Sequence, residues 1–266
     1  MKDCMAFALP KDFPWAEYLH LYDELPSTND AAKDLALHGA PEGTTVIARR
    51  QSAGRGRMGR QFVSPEGLGL YLSVVLRPNC PADALMHLTC AAAVAACDGV
   101  ENTCGLRPQI KWTNDLVVNG KKLGGILTEM SLNSATGLVD FAVVGIGINC
   151  LHTQKAFPAQ LQGIATSLAM VQNSTITPLA LAGFILPAIY EMRNRVLTEK
   201  AQLMDTYRHD CMTTGKDVAL VNGDSRIYAH ALRIDDDGGL VVRLTDGSEK
   251  TVTTGEISVR GMYGYL

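Results

Sequence analysis

Nearly unbroken apolar runs at residues 44–48, 68–76 and 139–148 predict strands, the last one buried on both faces. Gly145 and Gly147 interrupt that last run, which marks a place where another group comes close to the backbone. Asn119-Gly120 lies between the strand-like flanks 116–118 and 121–123, and Asn and Gly best tolerate the two positive φ angles of a tight hairpin turn. The second strand of that hairpin continues to residue 130, and a further strand begins near Gln109. Helical spacing predicts a helix over 28–37, with Ser27 or Thr28 as N-cap and Gly39 as the stop. An alanine-rich helix follows over 81–99, then a helical region from Thr177 with Pro178 in its first turn, extending towards 199 with a kink at Pro187, and another helix reaching 211. From 215 the texture changes to short strands at 217–221, 227–234, 240–244 and 249–253, divided by glycine turns. The expectation is an α+β chain: a mixed sheet with packed helices over 1–212 and a small C-terminal barrel over 213–266.

With 266 residues, 47% of them hydrophobic, the chain can bury a large core. A net charge of -3 argues against broad nucleic-acid or membrane-surface binding. Seven cysteines, odd in number and without a C-x-x-C pair, suggest neither a disulfide framework nor a zinc knuckle, and point to a reducing compartment. The six histidines form no metal-binding motif. The N-terminus lacks the charged-then-apolar pattern of a signal peptide, and the apolar stretch 179–190 is broken by Pro187 and short of the ~20 residues a bilayer requires. A cytoplasmic protein is the expectation.

Against this mildly acidic background, residues 54–60 concentrate three arginines and three glycines in one loop, Gly54-Arg55-Gly56-Arg57-Met58-Gly59-Arg60. Guanidinium forks match phosphate or carboxylate oxygens, and glycine lets backbone N–H groups approach the same anion. The spacing also fits G-x-G-x-x-G, but a dinucleotide turn must open a helix, and here Pro65 and Gly67 follow. A disordered RNA-binding segment would be repetitive, whereas this one occurs once between strands. Polar residues punctuate the neighbouring apolar runs: Gln51, Lys111, Asn114, Asp115 and Lys122. Each has an ordinary alternative as a surface charge or turn residue, and Ser27 with Asp30 scans as a capping box.

Taken together these segments resemble the biotin protein ligase family. The residues that carry the resemblance are Ser27-Thr28-Asn29, Gln51 through Arg60, Lys111-Trp112-Thr113-Asn114-Asp115-Leu116, Lys122 through Leu127, Gly145 through Asn149, and Gly255 through Arg260. The resemblance implies a two-step reaction: biotin and ATP give biotinyl-5'-AMP and pyrophosphate, and the biotinyl group then passes to a lysine of a biotin carboxyl carrier protein or domain. It implies a mixed sheet covered by helices and an SH3-like C-terminal barrel. Ser27, Thr28, Asn29 and Gln51 would bind the biotin ureido ring, with Arg55, Gly56 and Gly124 also on the biotin side. Arg55 and Arg57 would close over biotin and adenylate, and Lys122 would contact both the biotin carboxylate and the α-phosphate. Lys111 and Arg60 would bind the triphosphate, while Phe62, Asn114 and Asn149 belong to the nucleotide side.

Lys122, Arg57 and Lys111 are thus the expected catalytic residues, and Asp115 is the candidate contact for Mg2+. Proline is common in the family where this chain has Thr113. Only 26 residues precede Ser27, too few for a helix-turn-helix domain, so an enzyme without DNA binding is expected. Family members often form homodimers, though nothing in the sequence requires one. Lipoate attachment on the same fold, or a biotin sensor without turnover, are the alternatives; the paired lysines argue against a mere receptor.

Overall fold

The computed structural model describes residues 9–222, 224–253 and 258–261. Its principal sheet has seven strands: β1 (Leu19–Leu25), β2 (Thr45–Gln51), β3 (Gly69–Leu76), β4 (Gln109–Lys111), β5 (Asp115–Val118), β6 (Lys121–Leu132) and β7 (Val139–Asn149). Their spatial order is β1-β2-β3-β7-β6-β5-β4. Only β1 and β2 pair in parallel, so the sheet is mixed. β1 escaped the sequence reading because most of its side chains are exposed at the sheet edge, leaving no apolar run.

Alternation along the central strands separates two faces. Leu70, Leu72, Val74 and Leu76 of β3 and Ala142, Val144, Ile146 and Ile148 of β7 join the larger core with helices α2 (Leu88–Cys104) and α4 (Pro178–Arg195). Val75, Phe141 and Val143 point the other way, against α1 (Thr28–Leu37). Ser73 and Gly145 share the register parity of that second face, so they lie towards α1.

The cap of α1 forms as expected: Ser27 Oγ accepts from Asp30 N at 3.4 Å, and Gly39 leaves the helix with φ 85°. The alanine-rich helix starts later and ends later than the sequence suggested, its first turn being a separate 3-10 segment, Ala82–Leu85. Gly99 fails to stop it because that position faces α4: a Cβ there would sit 2.5 Å from Ile185 Cδ1. Gly105, at φ 69°, is the stop instead. By length and composition Ala82–Cys104 could cross a membrane, but here it is packed in the core between the sheet and α4. After a short α3 (Leu168–Gln172), the helix from Thr177 is one element through Pro187, and α5 (Lys200–Asp210) follows it.

The C-terminal strands β8 (Asp217–Asn222), β9 (Ser225–Ile234), β10 (Leu240–Leu244), β11 (Glu249–Val252) and β12 (Ser258–Gly261) form an antiparallel sheet in the order β11-β10-β9-β8-β12. Among the described residues this sheet is open and not a closed barrel, because its first and last strands, β11 and β12, do not pair. Of the terminal motif, Gly255, Glu256 and Ile257 lie outside the described residues. The sheet shares the main core through Val218, Leu220, Ala231, Leu240 and Val242. Trp112 fastens it to the principal sheet: its indole Nε1 donates to Gly238 O at 2.9 Å, and its backbone N to Thr213 Oγ1 at 2.9 Å.

Candidate functional site

A cavity of about 570 Å³ opens on the α1 side of the principal sheet. Ser27, Thr28, Asn29, Gln51, Arg55, Gly56, Arg57, Arg60, Phe62, Lys111, Asn114, Asp115, Lys122 and Asn149 all line it. Gly124 is the exception. It packs against the Gly147 carbonyl of the neighbouring strand, while the next residue, Gly125, faces the cavity. The one-residue difference follows from the two-residue side-chain period of a strand.

At one end the start of α1 meets the sheet. Gln51 Oε1 accepts from Thr28 N at 2.9 Å and from Thr28 Oγ1 at 3.1 Å, and Gln51 Nε2 donates to Ser64 Oγ at 2.9 Å. Asn29 Nδ2 donates to Leu127 O at 3.2 Å and to Glu129 Oε2 at 2.8 Å. The two glycines of β7 make room for side chains: a Cβ at Gly145 would overlap the Asn29 amide, and one at Gly147 would lie 2.7 Å from Phe62 Cε1. The close approach expected at these glycines therefore comes from the protein's own Asn29 and Phe62.

The arginine loop folds as a narrow turn, not a helix entry. Gly56 N donates to Arg60 O at 2.7 Å, Phe62 N donates to Gly54 O at 2.8 Å, and Met58 takes a left-handed conformation with φ 57°. Arg55 Nη2 reaches Asp30 Oδ1 at 2.7 Å and Glu129 Oε2 at 2.8 Å. Glu129 in turn holds Lys33 Nζ at 2.9 Å. Burial alone would raise the Glu129 pKa, but the Asn29 and Lys33 hydrogen bonds and the Arg55 charge outweigh it and hold the carboxyl below its usual value.

Arg57 points inward, donating from Nη1 to Asn114 Oδ1 at 3.2 Å; its buried Nη2 has no hydrogen-bond partner among the described residues. Burial lowers the Arg57 pKa, with Asp115 acting in the opposite direction. Two donor directions of a cation thus meet an interior short of acceptors, an arrangement completed by an incoming anion.

At the other end, β4 and the hairpin place Lys111 and Lys122 on one wall. Lys111 is 7% exposed. Lys122 Nζ pairs with Asp115 Oδ1 at 2.5 Å. The wall beyond comes from a segment the sequence reading left without a role: Phe157, Leu161, Ile164 and Ala165 face the cavity. The strand carrying Lys122 fixes that segment, since Lys122 N donates to Ile164 O at 2.8 Å and Thr166 N donates to Lys122 O at 2.8 Å. Asn149 is committed to the same seam, donating from Nδ2 to Thr166 O at 3.0 Å. Nothing in the local sequence of 153–166 signals this, because its position is set by pairing with a strand far away in the chain. Among the described residues no group of three metal-binding side chains occurs.

The sequence pattern of the Biotin/lipoate A/B protein ligase family matches residues 21–149, and that of the Biotin protein ligase C terminal domain matches residues 213–260. The chain is 38% identical over 239 residues to the bifunctional ligase/repressor BirA of Bacillus subtilis, covering 88% of this chain and 72% of that protein. It is 34% identical over 223 residues to the biotin--[acetyl-CoA-carboxylase] ligase of Paracoccus denitrificans, covering 82% of this chain and 90% of the other. Its fold is similar to that of the biotin protein ligase from Aquifex aeolicus in complex with biotin and ATP, with a TM-score of 0.76 and 27% identity over 91% of this chain and 98% of that one. The two family matches and these relatives, met by a cavity lined with cationic and amide side chains, place the chain in the biotin protein ligase family.

Proposed function

We infer that this chain is an ATP-dependent biotin protein ligase, joining biotin to ATP as biotinyl-5'-AMP with release of pyrophosphate and then transferring the biotinyl group to a lysine of a biotin carboxyl carrier protein or domain. The observation that carries the reading is one cavity lined both by Lys111, Lys122 and Arg57 and by an amide and hydroxyl cluster at the start of α1. Adenylation brings a carboxylate against a triphosphate, so positive charge at the junction both positions the anions and offsets charge building at the α-phosphate. We assign Lys122 to that junction, where it touches the biotin carboxylate and the α-phosphate. Lys111 and Arg60 bind the remaining phosphates.

Ser27, Thr28, Asn29 and Gln51 take the biotin ring, with Arg55 and Gly56 closing that end. Arg57, already turned inward with an unsatisfied donor, holds the adenylate. Phe62, over the Gly147 backbone, offers its ring to the adenine, and Asn114 and Asn149 serve the nucleotide side. Mg2+ fits as a companion of the nucleotide: it binds through one or two carboxylates plus substrate phosphates, and Asp115, facing the cavity beside Lys122, is the carboxylate in place. Bound there, it would neutralise phosphate charge. For transfer, the bound adenylate must be shielded from water until the acceptor amine arrives, a task suited to the arginine loop and the 157–165 wall.

We further propose that residues 1–212 form the catalytic unit and 213–266 an appended one. A reducing cytoplasm suits the cysteines, since all six described ones are free. Biotin-dependent exchange of pyrophosphate with ATP tests the function. We expect exchange with the unmodified protein and its loss with Lys122→Ala; absence of exchange in the unmodified protein, or adenylate formation with lipoate but not biotin, would overturn the reading.

A further inference from the structure

The Asn29 amide lies over one transverse row of the sheet. Ser73 of β3, Gly145 of β7 and Leu127 of β6 are direct partners in register, so their positions are aligned across three strands. Gly145, having no Cβ, leaves the space in which the amide sits. Ser73 Oγ lies 2.6 Å from Asn29 Oδ1 and 2.8 Å from Thr28 Oγ1, fully buried. On the far side, Leu127 O and Glu129 Oε2 receive the Asn29 amino group.

Both of those groups can only accept, so the NH2 must face them and the amide orientation is fixed without ambiguity. Each amino hydrogen is spent inside the protein. What Asn29 retains for a ligand is one lone pair on Oδ1, and it can therefore serve only as an acceptor.

We propose that Ser73 and Glu129 are positioning residues for biotin recognition: acting from opposite ends, they lock Asn29 so that its oxygen accepts a hydrogen bond from a ligand N–H. This rests on the biotin ligase reading above. Ser73 holds the oxygen end, and Glu129 draws the nitrogen end away from the ligand. Glu129 also binds Arg55, so the same carboxylate that orients the ring-binding amide anchors the first arginine of the loop. Losing Ser73 lets the oxygen end shift from its place, and losing Glu129 leaves an amino hydrogen without its acceptor, free to turn towards the ligand, where it meets another donor.

The test compares biotin with an analogue methylated on a ureido nitrogen, which removes one ligand N–H, by steady-state pyrophosphate exchange in the unmodified protein, Ser73→Ala and Glu129→Ala. In the unmodified protein methylation at the sensitive nitrogen should raise KM. In both variants KM for biotin should rise about three- to tenfold, the effect of one neutral hydrogen bond, while KM for ATP stays put. The ratio of the two KM values, analogue over biotin, should fall towards one. A purely structural role would raise both KM values together and leave that ratio unchanged, which would refute the proposal. Glu129→Ala removes the acceptor at the nitrogen end, so it provides the same comparison if Ser73→Ala fails to fold. Should the unmodified protein show no biotin-dependent exchange, the ligase reading itself fails; exchange with an unaltered ratio in the variants defeats the positioning role alone.

Discussion

Two glycines in the same strand, two residues apart, should control different substrates. At Gly145 a Cβ would overlap Asn29 Oδ1 and lie 2.8 Å from Asn29 Cγ, so Gly145→Ala must expel the amide from its place between Ser73, Leu127 and Glu129. At Gly147 the added carbon would lie 2.7 and 2.8 Å from Phe62 Cε1 and Cζ, so Gly147→Ala must push the ring away from the sheet. The first change removes a ligand acceptor, worth about 1 to 2 kcal/mol, a loss of roughly five- to thirtyfold in biotin affinity. The second removes a surface on which a base stacks, worth about 1 to 3 kcal/mol. Either insertion also overpacks a buried site at a cost of about 1 to 3 kcal/mol, lowering Tm by roughly 3 to 10 °C.

The assay is pyrophosphate exchange with each substrate varied in turn, run beside thermal melts. We expect Gly145→Ala to raise KM for biotin and spare that for ATP, and Gly147→Ala to do the reverse. If both variants raise KM for the same substrate, or both lower Tm and leave the two KM values alone, the division of the cavity into a ring end and a nucleotide end is wrong.

Arg57→Gly should leave exchange measurable but release biotinyl-5'-AMP about tenfold faster or more, since a charged hydrogen-bonding group that holds the adenylate is gone; an unchanged intermediate lifetime in single-turnover trapping would sink that role. His152 is fully buried and stacked on Phe157 at 4.8 Å between ring centroids, and burial, opposed by the Leu68 backbone, lowers its pKa to about 4. The unfolded chain therefore takes up this proton first, so the contribution is intact above pH ~6.5 and declines as pH falls towards 4. His152→Phe should gain roughly 2 kcal/mol on the unmodified protein between pH 7.5 and pH 5, read from urea midpoints; parallel losses in both proteins would show that another group titrates.

Much of the fold was legible where local chemistry is strict. The Ser27 cap, the Asn119-Gly120 turn with φ values of 51° and 71°, and the buried strands all follow from short-range rules. β1 was not legible because an exposed edge strand needs no apolar pattern. The end of α2 was misjudged because Gly99 serves a helix contact, not a stop, and a sequence cannot distinguish the two. The cationic half of the site was readable for a different reason: no local backbone rule calls for three arginines in one short loop, so chemistry is the economical explanation.

Ser73 and Glu129 show the opposite case. Each is an unremarkable polar residue in a strand, and its importance arises only when strand register brings it to the Asn29 amide from 44 and 100 positions away. The 157–165 wall is likewise set by pairing with Lys122, and Gly125 faces the cavity in place of Gly124 through the parity of one strand. By itself the sequence determined which groups could bind anions and roughly where most of the strands and helices lie, because charge and backbone preference belong to single residues and their near neighbours. Tertiary structure alone decided which of those groups share a wall and which way an amide faces, because register and burial depend on contacts between parts of the chain that no local pattern relates.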